Sequence, residues 1–254
     1  FKNTSVLILV EGYLFSSNLW YIKLIIPFST LTLFSVWAKD LLISDNSSIN
    51  IVIMNFLSID FSTSVGSFFV KVKNKSFSKI LQSDKSNIDL IMQLILDFLE
   101  ENNLNFDHLE AIFVNNGPGS YSGLRGSLST AKGICTSKNL KLYGYDNFIW
   151  PVSKFLEKKD NIYSFLKVRE KYFFKKYEKN LTNQSIINEI NKDNIIKEFD
   201  DKFKVIPKNL SKNFDKKILE LNNINIVNLD PNDLEFLCLK GLLSKDLIKP
   251  IYLS

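Results

Sequence analysis

An α/β fold built on mixed sheets is predicted by three features of this sequence. From Met54 onward, short apolar runs alternate with helical stripes in the order β-β-α-β-α-β. One such run, Ala111-Ile112-Phe113-Val114, leads directly into Gly117-Pro118-Gly119 and then a helix-forming stretch. A second half opens with two further runs, 162–168 and 172–177, that read as paired strands about Arg169-Glu170-Lys171. With 254 residues, 45% hydrophobic and 23% charged, the chain can bury a substantial core in one or two domains.

Residues 1–53 do not resemble the rest of the chain. From 12 to 38 the sequence is almost wholly apolar or hydroxylic, interrupted by Lys23 and Pro27. That length could cross a bilayer, for which roughly 20 residues suffice. Lys23 near its middle and the flanking Glu11 make it a poor span, and a signal peptide's basic start and cleavage site are missing. The first residue is Phe, and the first methionine, Met54, stands just before a well-formed strand. The expectation is an apolar extension outside the fold, a translated upstream region, with the natural start at Met54. A membrane anchor is the alternative.

Phe56-Leu57-Ser58-Ile59 reads as a buried strand ending in Asp60, and 67–73 as its partner with Phe68, Val70 and Val72 on one face. The hairpin tip between them carries one carboxylate and the hydroxyls of Ser62, Thr63 and Ser64. It suits a metal-bound phosphate, or equally the local hydrogen bonds of an ordinary turn. Ser86-Asn87-Ile88-Asp89 forms a capping box before a helical stripe of Ile88, Ile91, Leu94, Ile95, Phe98 and Leu99.

The stretch Asn115-Asn116-Gly117-Pro118-Gly119-Ser120-Tyr121-Ser122-Gly123-Leu124-Arg125 organises the rest. Ser120 or Ser122 can cap a helix whose Leu124, Leu128 and Ala131 recur at helical spacing. Gly123, Gly126, Ser127, Ser129, Thr130 and Gly133 make that helix unusually small-sided. Each helical glycine costs roughly 1 kcal/mol relative to alanine, so a close approach is implied. Three readings stay open: a phosphate loop at a helix N-terminus, a tight helix–helix contact, or a plain strand–turn–helix connection. The stretch lacks the Gly-Lys-Ser/Thr ending of a P-loop, and its glycines miss the dinucleotide spacing by one residue.

A strand is expected next at Lys141–Tyr145. Beyond Trp150, a polar Asn-rich stretch covers 178–201, with short strands expected at 203–206 and Ile224–Val227. Asp230-Pro231-Asn232-Asp233 is a strong helix start, with Leu234, Leu237, Cys238 and Leu242 lining the helix.

Composition excludes several chemistries. Cys135 and Cys238 match no ligand or redox spacing and read as buried free thiols. The single histidine, His108, sits in a connecting loop, so there is no two-histidine zinc site and no obvious Ser-His-Asp cluster. The net charge of +5 is mostly lysine, with Arg125 and Arg169 the two arginines. Abundant Lys, Asn, Ile and Phe indicate AT-rich coding bias rather than a clustered nucleic-acid patch.

Taken together, the 56–64 strand and tip, the Gly117–Arg125 motif with Ala131-Lys132-Gly133, and the closing Pro250-Ile251-Tyr252-Leu253 resemble the bacterial TsaB (YeaZ) family. Those proteins serve tRNA threonylcarbamoyladenosine modification and are related to the glycoprotease-like TsaD family. The resemblance is strong over 54–145, weak beyond, and absent before Met54. There are departures: Gly-Leu-Arg-Gly-Ser-Leu-Ser stands for the usual Gly-Leu-Arg-Ile-Gly-Leu-Ala, Lys85-Ser86-Asn87 for His-Ser-Glu, and Lys167-Val168-Arg169 for Asp-Ala-Arg.

The resemblance implies a two-lobed actin-like ATPase fold with mixed sheets and a reduced second lobe. Residues 54–150 would form the first lobe and 151–254 the second, its C-terminal helix packing back on the first. It further implies a non-catalytic, cytoplasmic scaffold subunit that pairs with a TsaD-type catalytic subunit to support threonylcarbamoyl transfer to the adenosine beside the tRNA anticodon. An associated P-loop ATPase subunit, self-dimerisation without the partner and indirect tRNA contact belong to the same picture. No cofactor is required, ATP or ADP and Mg being held weakly or at the partner. Asp60, Ser62, Thr63, Gly117, Gly119 and Ser120 would line a vestigial phosphate site. Ile91, Ile95, Gly123, Arg125, Gly126, Ser127 and Thr130 would form the partner interface. The alternatives are an ATP-dependent phosphotransferase of the same fold using Asp60, and a membrane-tethered interaction protein.

Overall fold

The computed structural model describes residues 54–82, 84–179, 186–245 and 247–253. The chain divides into two units, 1–52 and 53–254, and the expectations for residues 1–53, membrane anchor included, lie outside the described residues. Among the described residues, no helix is long and apolar enough to cross a membrane.

The first sheet contains β1 (Phe56–Asp60), β2 (Val65–Val72), β3 (Lys75–Gln82), β4 (Ala111–Asn115) and β5 (Lys141–Tyr145), in the order β3-β2-β1-β4-β5. β1, β2 and β3 pair antiparallel, whereas β1, β4 and β5 run parallel. Parallel neighbours need long crossovers, supplied here by α1 (Lys85–Asp89) with α2 (Ile91–Glu101), and by α3 (Tyr121–Lys138). The second sheet holds β6 (Asn161–Val168), β7 (Lys171–Glu178), β8 (Asn188–Ile190), β9 (Lys204–Pro207) and β10 (Ile224–Val227), ordered β10-β9-β6-β7-β8. From its opposite edge this sheet reads third, second, first, fourth, fifth, as the first sheet does. Antiparallel β6-β7-β8 and parallel β6-β9-β10 complete the match. The topology is therefore duplicated although the sequence shows no repeat. Reduction in the second half lies in its helices: α5 (Lys192–Glu198) has 7 residues, and α6 (Lys208–Ser211) and α7 (Lys216–Leu219) have 4 each.

Local signals explain the element ends. Asp230 accepts from the Asn232 amide and Pro231 opens α8 (Pro231–Leu239). Ser120, not Ser122, caps α3 by accepting from Gly123 N, and Asn139 ends it in the left-handed conformation at φ 53°. The cap of α1 is Asp84 rather than Ser86, its carboxylate accepting from Asn87 N at 2.9 Å. The stripe expected as one helix breaks at Leu90 into α1 and α2. Two strands escape the sequence pattern. β3 is an edge strand whose apolar contribution to the core is the half-buried Phe77 and Leu81, with Lys79 half-buried between them, and β8 is a 3-residue strand inside the polar stretch.

Alternation along each strand sorts side chains into separate cores. On β1 and β4, Leu57, Ile59, Ile112 and Val114 face α2 and α3, where Ile91, Ile95, Phe98, Leu128 and Ala131 cover them. The opposite face presents Phe56 and Phe113, whose rings stack at 4.3 Å. It joins Trp150 of α4 (Ile149–Val152), Ile162, Leu166 and Phe173 of the second sheet, and Leu234 and Leu237 of α8. A third core, with Phe165, Ile195, Phe199 and Ile206, lies on the second sheet's far side. Glu235 of α8 accepts from Met54 N at 2.7 Å and pairs with the mostly buried Lys71 of β2. Burying each large apolar side chain is worth roughly 1.5–3 kcal/mol, so the shared core fixes how the two sheets meet.

Candidate functional site: the hairpin tip and the glycine turn

The C-terminal ends of β1, β4 and β5 bring three loops together. Asp60, the last residue of β1, is buried, and its two oxygens accept from Ser62 N and from Asn115 Nδ2, both at 2.8 Å. Asn115 Nδ2 also reaches Asn147 Oδ1 at 2.7 Å. Asn147 donates from Nδ2 to Ser62 Oγ at 3.0 Å and to Pro118 O at 2.7 Å. Gly117 N donates to Asn115 Oδ1 at 2.8 Å, and Asn147 N to Gly117 O at 2.8 Å. Burial pushes the Asp60 carboxyl above its ordinary range, against the hydrogen bonds from Ser62 and Asn115. Burial likewise raises the Tyr145 phenol, which hydrogen-bonds Ser58 Oγ at 2.9 Å.

The turn after β4 closes on the hairpin tip. Ser120 N donates to Ser62 O at 2.6 Å, and an added Cβ at Gly119 would lie 1.9 Å from that same oxygen. At Gly123 it would lie 1.9 Å from Phe61 O. Gly117, at φ +108° and followed by a cis Pro118, has Ile251 O only 2.8 Å from its ideal Cβ position. The glycines thus let one backbone lie against another. The close approach predicted from them exists, and it is within the chain.

Beyond this junction opens a cleft of about 1300 Å³. Thr63, Ser64, Ser120 and Ser122 line one side, and Lys167, Arg169 and Lys171 of the β6–β7 turn line the other. Thr63 Oγ1 stays within its own turn, 3.2 Å from Val65 O. Hydroxyls facing cations suit an anion held at the surface. They offer little to a magnesium ion: Asp60 is buried and does not line the cleft, and Glu170, the one acid among the lining residues described, lies 3.6 Å from Lys167. Among the described residues, no three His, Cys, Asp or Glu side chains gather as metal ligands. His108 Nδ1 accepts from Asn105 N at 3.0 Å in a short 3-10 turn.

The residues expected to form a phosphate site therefore do converge, but several of their polar groups are engaged within the junction, by one another or by Asn115 and Asn147. Those expected at a partner interface divide. Ile91, Ile95, Gly123 and Ser127 are buried in the chain's own core. Gly126 packs against Ile88 and Ile91, its ideal Cβ 3.1 Å from each side chain, and Thr130 is half-buried. Arg125 is exposed, over the Tyr121 ring. The side chains of α1–α3 open to solvent on the remaining face include Leu90, Met92 and Leu96, together with Gly133. Sequence reading missed Asn147, which sits just after β5 in an Asp-Asn pair indistinguishable from any turn.

Two five-stranded sheets of one topology, with loops from both meeting at a cleft, define an α/β protein of the actin-like ATPase fold. Residues 82–160 match the family model described as TsaD, tRNA N6-adenosine threonylcarbamoyltransferase. The tRNA threonylcarbamoyladenosine biosynthesis protein TsaB of Buchnera aphidicola subsp. Baizongia pistaciae is 28% identical over 89 residues, 35% of this chain. That match spans 40% of the relative's length. Among solved structures, YeaZ from Pseudomonas aeruginosa superposes with a TM-score of 0.57 at 13% identity, covering 79% of this chain and 100% of that one. A second, an uncharacterized protein with similarity to peptidase YeaZ from the same organism, gives 0.59 at 12% identity, covering 80% of this chain and 100% of that one. The chain is thus similar in part of its sequence to TsaB and TsaD proteins and shares its fold with YeaZ.

Proposed function

We propose that this chain is a non-catalytic, cytoplasmic subunit in threonylcarbamoyladenosine modification of tRNA, acting by pairing with a TsaD-type catalytic subunit. The observation that carries the reading is the closed junction at Asp60. A phosphotransferase of this fold needs a carboxylate and loop amides free to meet metal and phosphate. Here Asp60 accepts from Ser62 and Asn115, and Gly117 N and Ser120 N serve Asn115 and Ser62. Similarity to TsaB and TsaD proteins suggests the reaction, and the TsaD-like match over 82–160 covers α1–α3.

The surface for the partner is the outer side of α1–α3. Met92 and Leu96, 42% and 41% exposed and one turn apart on α2, lie near Leu90 at 53%. Gly133 adds an open position on α3, with nothing within 4 Å of its ideal Cβ. Exposed apolar side chains on α2 and an open glycine on α3 suit a helix–helix contact with a partner. Bulky replacements at Gly126 or Ser127 would disturb the chain's own packing, so Met92, Leu96 and Gly133 are the informative positions.

Reconstitution of tRNA modification tests the proposal. Omitting the chain from an otherwise complete system should abolish product, and Met92→Glu/Leu96→Glu should lose co-purification with the TsaD-type subunit while the chain stays folded. Undiminished modification without the chain, or magnesium-dependent ATP turnover by the isolated chain that disappears in Asp60→Ala, would refute it.

A further inference from the structure

A second groove, of about 590 Å³, runs between α3 and the segment 249–252. Arg125, Ser129 and Lys132 line it from one flank of α3, at the spacing of successive turns, and Lys249, Pro250 and Tyr252 line it from the other side. No acid lines the groove, and neither Lys132 nor Lys249 has an ion-pair partner among the described residues.

At its mouth is an aromatic platform. Tyr121 and Tyr252 stack with centroids 5.4 Å apart and remain 56% and 48% exposed. Arg125 sits 4.1 Å above the Tyr121 ring and donates from Nε to Tyr252 Oη at 3.2 Å. The segment bearing Tyr252 is held in place by Ile251 N, which donates to Asn116 O at 2.7 Å. Two large rings left in solvent beside three cations do not serve the core.

We infer that this groove binds single-stranded RNA, with Lys132, Lys249 and Arg125 on phosphates and a base against the Tyr121–Tyr252 platform. Cations tracking a backbone beside stackable aromatic faces is the chemistry of sequence-tolerant single-strand binding. A surface for acidic peptide would need the cations alone. The choice of RNA among base-bearing polyanions rests on the tRNA-modification reading above. Gly126 also borders the groove, but Leu90, Met92, Leu96 and Gly133, the surface proposed for the partner, do not line it, so RNA and a partner on α1–α3 can be held together.

The test is fluorescence anisotropy of the full chain with a fluorescein-labelled RNA stem-loop of anticodon-arm size, over a range of NaCl. Lys132→Ala/Lys249→Ala should flatten the slope of log affinity against log salt by roughly 1.4, about 0.7 for each single-strand phosphate no longer neutralised. Tyr252→Ala should weaken binding about tenfold at nearly constant slope, with Tyr252→Phe closer to the parent chain. Lys217→Ala, outside the groove, should change neither. Thermal melts of each variant exclude unfolding as the cause. An unchanged slope in the double lysine variant overturns the inference, as does binding of inorganic polyphosphate as tight as that of RNA and indifferent to Tyr252. Co-purification with the TsaD-type subunit is measured on the same variants and should persist. Its loss with RNA binding intact would count against the partner reading instead.

Discussion

Asn147 donates from Nδ2 to Ser62 Oγ at 3.0 Å, joining the loop after β5 to the hairpin tip across 85 residues of sequence. The same amide group serves Pro118 O and accepts from Asn115. One side chain thereby ties together all three loops at the strand ends. Asn147→Ala leaves several buried polar groups without partners, each worth about 1–3 kcal/mol. The expected loss is roughly 2–4 kcal/mol in urea denaturation with the m-value unchanged.

Two glycines of one motif should respond oppositely to the same substitution. A methyl at Gly119 would stand 1.9 Å from Ser62 O, which is backbone and cannot step aside. Gly119→Ala is expected to cost at least ~3 kcal/mol or prevent folding. Gly133, inside α3 with open space around it, has no such neighbour. Gly133→Ala should stabilise the chain by about 0.5–1 kcal/mol, read as a higher melting temperature.

Asp60 makes stability depend on pH in a defined direction. Its folded-state pKa lies above the ordinary 3.8 because burial disfavours the charge. The folded chain consequently holds that proton more tightly than the unfolded one. The stabilisation is fully present below the unfolded value and is lost as pH rises through the folded value. The stability difference between the parent chain and Asp60→Asn should therefore decline as pH rises above the ordinary carboxylate value of 3.8. A difference that grows with pH would show that the hydrogen bonds outweigh burial.

The two cysteines should be inert in the native chain. Burial pushes the Cys135 thiol up to about 11 and raises that of Cys238 as well. At about pH 8 roughly one Cys135 in a thousand would be thiolate, and access is blocked in addition. Iodoacetamide labelling and then mass spectrometry should show slow modification without denaturant and rapid modification in urea.

How far the site could be read from sequence depends on whether its parts are local. Asp60, Ser62 and the Gly117–Ser120 turn announce themselves, because a strand that stops at a carboxylate or a glycine is a local event. The direction in which they pack is not local. The small residues of α3 implied a close approach, but only the folded chain shows that Phe61 O and Ser62 O occupy it. Asn147 lacks a distinguishing neighbour in sequence. The groove behind Arg125 forms only when the segment around Lys249 and Tyr252 is laid beside α3.

By itself the sequence determined the strand and helix identities that rest on periodicity and capping, among them β1, β4, β5, the β6–β7 pair and α8, and through its motifs a resemblance to the TsaB proteins. These are short-range preferences of backbone and side chain, visible within about ten residues. Tertiary structure decided the rest. β3 and β8 are strands because each finds a partner edge, β2 and β7, that satisfies its backbone, not because of their own composition. The duplication of the two sheets is visible only in strand order. Pairing is set by the neighbour each backbone meets, and that information is not carried by any one segment.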